Sequence, residues 1–176
     1  MKKIVYLSLG CLTLLMLVGC AKKTMMQVSF DHYTLQRDTN GKAYTPLASQ
    51  PGSIAVYQAQ QVTTGAANSF IVSQMVLPAG TDLLNVVTLN DDQLAKKLVS
   101  YKGSKPTKSK ITCNGANLTG YTTTFTYELD AQTFHVYQYY FMENNTLQLI
   151  SFQADNSKDL TATANSIKSL TCLKSW

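Results

Sequence analysis

Histidine, arginine and tryptophan are almost missing from this chain: among 176 residues they amount to His32, His135, Arg37 and Trp176. Each histidine sits next to an aromatic in a strand-like run, and no G-x-S-x-G run occurs. The nucleophile, base and orienting acid of a hydrolase therefore have little to draw on. One arginine offers little bidentate recognition, and the lysines do not interleave with aromatics, which argues against nucleic-acid binding. There is no C-x-x-C pair and no zinc-ligand spacing, so neither a metal nor a cofactor is expected. Charge is scarce as well, at 14% of residues against 45% hydrophobic, a balance that suits one packed core and not a disordered chain.

What is present begins at the N-terminus. Met1-Lys2-Lys3 precedes an apolar run from Ile4 to Val18, and Leu17-Val18-Gly19-Cys20 resembles the bacterial lipobox at the end of a secretory signal. On this reading residues 1–19 are a lipoprotein signal peptide and the Cys20 thiol receives a diacylglycerol. Residues 20–26 form a lipidated terminus and short linker, and residues 27–176 a single domain on the extracytoplasmic side of a bacterial membrane. The competing reading is an uncleaved anchor, since Ile4 to Ala21 is 18 residues and a spanning helix takes roughly 17–25. A linker this short keeps the domain near the bilayer, where Lys22 and Lys23 either meet anionic headgroups or stay solvated.

Without Lys2 and Lys3 the chain carries 13 basic against 10 acidic residues, a mild excess. Its basic character is local, in Lys96, Lys97, Lys102, Lys105, Lys108 and Lys110. Of four cysteines, Cys11 leaves with the signal and Cys20 carries lipid, so Cys113 and Cys172 remain, 59 positions apart. An exported compartment permits disulfides, and one bridge between these two is the simplest reading, worth about 4 kcal/mol in the chain-entropy model. A metal site or a redox thiol is the alternative, without the spacing either requires.

Along the mature chain, Val28 to Leu35 reads as one strand. Asn40-Gly41 is a hairpin signal returning through Lys42 to Leu47, Ser53 to Gln58 extends again, and Ser69 to Leu77 is the most apolar strand. Asn90-Asp91-Asp92 offers cap oxygens before Leu94, Leu98 and Tyr101, which predicts a helix from Asp91 to Tyr101; Lys102 to Lys110 then reads as an exposed loop. Tyr121 to Leu129, Thr133 to Glu143 and Thr146 to Ala154 form an antiparallel meander. A two-residue turn at Asn144-Asn145 sets Met142 opposite Leu147 and Tyr140 opposite Leu149 on one side, with Tyr139 opposite Ile150 and Tyr137 opposite Phe152 on the other. A sheet apolar on both faces needs cover on both, or else one face binds a partner. A closing helix from Ser157, with Leu160, Ala164, Ile167 and Leu170 on one stripe, covers one face, and the helix from Asp91 is the candidate to cover the other.

From Gly120 to Thr171, the order strand, strand, Asn turn, strand (LQLISFQAD) and capped helix ending SIKSL is similar to the C-terminal half of PsbP-like domains. That superfamily includes photosystem PsbP, the Ran-binding Mog proteins and envelope lipoproteins of the DcrB and LpqN kinds. The resemblance rests on element order; the P-x-x-W stretch of many members is absent, and no functional residue carries over. It implies an α+β fold, an α/β/α sandwich around an antiparallel sheet, and a binding or assembly accessory without catalysis. Tyr137, Tyr139 and Phe141 either present a partner-binding face or pack beneath a helix as ordinary strand residues. Lys102, Lys105, Lys108 and Lys110 either meet lipid phosphates or form a solvated loop. The expected role is a membrane-anchored envelope lipoprotein that engages a protein partner. Its rivals are a small-ligand carrier with an aromatic pocket between sheet and helix, and a hydrolytic enzyme that would depend on His135.

Overall fold

The computed structural model describes residues 25–30, 33–38, 44–48, 53–59, 68–113, 116–167 and 171–172. The first elements are β1 (Met25–Phe30) and β2 (Tyr33–Asp38), an antiparallel pair with Phe30 opposite Tyr33 and Val28 opposite Leu35. The single strand expected over Val28 to Leu35 is thus two. The reason is parity: along one continuous strand the apolar residues at 28 and 30 would be out of phase with those at 33 and 35, whereas the antiparallel register sets 28 opposite 35 and 30 opposite 33. Between those pairs, Ser29 and Thr34 are joined through their hydroxyls at 3.3 Å.

β3 (Tyr44–Leu47), β4 (Ser53–Ala59) and β5 (Ser69–Val76) follow, each antiparallel to the next. β3 therefore pairs with β4 and not with β2, which overturns the hairpin expected at Asn40-Gly41; those two residues lie outside the described ones. Next comes α1 (Leu83–Lys97), which starts eight residues before the expected Asp91. Asp82 is its cap, its carboxylate accepting the Leu84 N–H at 3.1 Å. Val86, Val87 and Thr88 weaken helix propensity, but burial of Leu83 and Val87 against the sheet outweighs it. The helix stops at Leu98, short of Tyr101, because the chain enters β6 (Val99–Gly103). β7 (Thr107–Cys113) takes up the last four residues of the expected lysine loop, and β6 its first two. Its residues alternate, with Lys108 and Lys110 exposed and Ile111 buried, so the lysines are solvated as strand residues.

The meander is built as the sequence implies, from β8 (Ala116–Leu129), β9 (Gln132–Glu143) and β10 (Thr146–Ala154). Met142 pairs with Leu147, Tyr140 with Leu149, Tyr139 with Ile150 and Tyr137 with Phe152. The register follows from the turn, since Asn144 and Asn145 both adopt positive φ, +48° and +62°, as a two-residue hairpin of this twist demands. α2 (Ser157–Ile167) and the short β11 (Thr171–Cys172) close the described chain.

Eight strands form one antiparallel sheet in the order β3-β4-β5-β10-β9-β8, with β6 and β7 sharing the far edge of β8. β1, β2 and β11 make a second, three-stranded sheet. One face of the large sheet packs against α2 and β2 through Tyr33, Tyr139, Phe141, Ile150, Phe152 and Ile167. Tyr33 meets Phe141 edge-on at 5.1 Å and donates its phenol proton to Glu143. The opposite face carries α1 over Tyr140 and Leu147. The architecture is α+β, with helices on both faces of an antiparallel sheet. Among the described residues no helix is long and apolar enough to cross a membrane.

Candidate functional site

The strand alternation of β9 sends Tyr139 and Phe141 into the α2-side core, both with no solvent exposure, and leaves Tyr137 partly buried against the same cluster. The three residues share a face as expected, but that face is covered, so they present no contact surface. α2 and Tyr33 cover it, which is the second of the two readings the sequence offered, packing beneath a helix as strand residues. The Tyr139 hydroxyl is buried without a hydrogen-bond partner, and burial pushes its ionisation well above the ordinary phenol range.

Lys102, Lys105, Lys108 and Lys110 are all exposed, along the β6–β7 edge. They do not converge. Lys108 stands opposite Tyr121 and so on the α1 side, with Lys110 two residues further along, whereas Lys102 stands opposite Thr126 on the α2 side. Cys113 ends β7 and Cys172 lies in β11, and the backbones of these two strands approach each other. Cys20, Lys22, Lys23 and His32 lie outside the described residues. His135 shares a shallow hollow with Ser104, but the Ser104 hydroxyl is engaged by Thr124, accepting its backbone N–H at 3.0 Å. Among the described residues no three His, Cys, Asp or Glu side chains cluster to hold a metal ion.

The feature that sequence reasoning missed lies under the other helix. α1 is amphipathic over a short stretch only, and along one flank it stands off the sheet. The resulting groove, about 310 Å³, is walled by Met75, Val86, Leu147 and Leu149, with Ser73, Gln74, Asn90 and Tyr140 as its polar lining. It opens to solvent past Met75, which is 52% exposed. The pocket expected between sheet and helix is thus aliphatic, not aromatic. The sheet's two apolar faces were the available signal; the wrong start assigned to α1 hid which residues would leave a gap.

A polar relay floors this side of the sheet. Asn90 donates its amide proton to the Tyr140 hydroxyl at 2.7 Å, that hydroxyl donates to Gln138, and Gln138 also meets Thr123 and Ser151 at 3.5 Å each. Nearby, Tyr101 donates to Asp91, which explains Asp91 as a mid-helix anchor and not a cap. Burial raises the ionisation of Tyr140, and burial followed by the Asp91 hydrogen bond and charge raises that of Tyr101, so both phenols stay neutral at physiological pH. The relay holds α1 onto the sheet at its middle and keeps the groove floor uncharged.

No family model matches the chain, and no curated protein sequence does either. Solved structures do. LpqN of Mycobacterium tuberculosis superposes with a TM-score of 0.58 at 14% identity, covering 87% of this chain and 92% of that one. The solution structure of cyanobacterial PsbP from Synechocystis superposes at 0.55 and 11% identity, covering 88% and 95%. The fold is therefore PsbP-like.

Proposed function

We propose that this protein is a lipid-tethered accessory of the bacterial cell envelope. Its PsbP-like domain is anchored through Cys20 on the extracytoplasmic side of a membrane and binds an envelope component without carrying out chemistry on it. The observation that carries this reading is the groove beneath α1: an open aliphatic wall ending in a neutral phenol–amide relay. Such a site is equipped to hold a partner by burial and a few hydrogen bonds. No group in it is poised to attack or to exchange a proton near neutral pH.

Several further features fit. The first 20 residues have the order of a lipoprotein signal. LpqN, which shares the fold, is described as involved in cell envelope biogenesis. The approach of β7 to β11 suits a Cys113–Cys172 bridge in an oxidising compartment. The edge lysines favour an anionic membrane surface and also blunt an otherwise unpaired sheet edge.

The test uses cells making the full chain, fed a radiolabelled fatty acid, with a photocrosslinking residue replacing Met75. Acyl label should enter the wild type and not Cys20→Ser. Ultraviolet adducts should form from position 75 and not from position 144, an exposed turn. An unacylated product still beginning at Met1, or identical adducts from both positions, overturns the proposal.

A further inference from the structure

The groove under α1 has a chemistry that narrows its occupant, and we propose that it binds a single-chain fatty carboxylate. This deepens the binding role above and rests on it. The walls Met75, Val86, Leu147 and Leu149 are all aliphatic or thioether. Flat ring systems gain from aromatic walls that offer stacking or edge contacts, and here Tyr140 alone supplies a ring, with its hydroxyl already committed to Asn90 and Gln138. Flexible methylene chains need only apolar area and an adaptable wall, which Met75 provides.

Size points the same way. A groove of about 310 Å³ lies at the lower end of the range of ligand pockets, which suits one slender chain better than the paired chains of a phospholipid.

The head group is specified by what adjoins the groove. Asn90 also lines a second hollow, with Leu89, Gln93, Leu94 and Lys97, so this residue borders both. Val86, Asn90, Gln93 and Lys97 follow one another along a single side of α1, a path of about 16 Å at 1.5 Å per residue. The path runs from apolar, through amides, to a cation. Neither Asp91 nor Asp92 lines either hollow. Lys96 and Lys97 in the last turn offset the partial negative charge of the helix end, so a carboxylate there meets positive charge. Leu89, 62% exposed, gives this hollow an apolar rim. An amphiphile with its chain on Leu147 and Leu149 and its carboxylate at Lys97 uses every one of these features.

The experiment is equilibrium binding of radiolabelled dodecanoate to the full chain in phosphatidylcholine nanodiscs, with protein-free nanodiscs as baseline. Saturable binding is expected, absent for butyrate, which lacks the chain. Ser73→Phe, which fills the groove from β5, should weaken it by about tenfold or more. Met75→Trp, at an exposed rim position whose replacement spares the core, should do the same with an unchanged melting temperature. Lys97→Gln should weaken dodecanoate by about fivefold and leave dodecanol unaffected. Binding no greater than to protein-free nanodiscs, a phospholipid found in the site, or wild-type affinity in folded Met75→Trp overturns the inference. If dodecanoate fails while site-specific crosslinks from position 75 persist, the fatty-acid assignment falls and the accessory role stands; if both are lost, the accessory role falls with it.

Discussion

Four residues bearing side chains occupy left-handed backbone at the two turns of the central meander: Asp130, Ala131, Asn144 and Asn145, with φ between +48° and +62°. Asparagine and aspartate tolerate this region because their side chains hydrogen-bond locally, while alanine has no such compensation. Ala131→Gly should therefore raise stability by about 1 kcal/mol in urea denaturation, and a loss would contradict the turn geometry. A second consequence concerns the tyrosines. Burial raises the ionisation of Tyr139, Tyr140 and Tyr101 above the ordinary value of 10.0. In the unfolded chain these phenols lose their protons near pH 10, while the folded protein holds them, so the folded state binds more protons in that alkaline window. Their contribution to stability is complete below about pH 10 and falls as pH rises through the folded values. Alkaline titration followed by phenolate absorbance and circular dichroism should show these tyrosines ionising together with unfolding; every tyrosine titrating near pH 10 in a still-folded protein would contradict it. The Asn-Asn turn was legible from residue type, whereas the turn at Asp130-Ala131 showed only as the gap between two strand-like runs, because alanine carries no turn signal.

Among the elements, α2 and the three meander strands could be read directly, since their apolar positions repeat at 3.6 and 2 residues and short connections leave no choice of partner. α1 was misread because a β-branched run conceals its first two turns and Asp91-Asp92 offers a plausible false start. The true cap, Asp82, makes a specific prediction: Asp82→Ala should cost about 1 kcal/mol in thermal melts by freeing the Leu84 N–H. Asp92→Ala, in mid-helix, should cost less; equal losses would restore the start first expected. The lysine segment was misread for the opposite reason. Gly103, Pro106 and six nearby cations suggest a loop, yet alternation of Lys108 and Lys110 with Ile111 suffices for an edge strand once β8 is there to pair with it.

At the scale of the whole molecule, the described residues join the small sheet to the large one by packing, through Tyr33, α2 and the approach of β11 to β7. A Cys113–Cys172 bridge would tie this junction covalently and close a loop of about 60 residues. Reducing the oxidised protein should then lower its stability by up to about 4 kcal/mol, measured by denaturant melts with and without reductant. Two thiols alkylated freely in the native oxidised protein would rule the bridge out. The candidate site belongs to this scale as well, since its walls come from β5, α1, β9 and β10, and no short window of sequence contains them together.

The sequence alone determined what local periodicity and turn chemistry govern: the register of β9 with β10, the inward side of α2, and the presence of apolar residues on both faces of the meander. Only the tertiary structure decided that β2 leaves β3 for a separate sheet, that Tyr139 and Phe141 are core, and that α1 stands away from β5 to leave a groove. Those outcomes depend on contacts such as Tyr33 with Glu143, 110 residues apart, whose energy appears only when the chain is folded and which no local preference encodes.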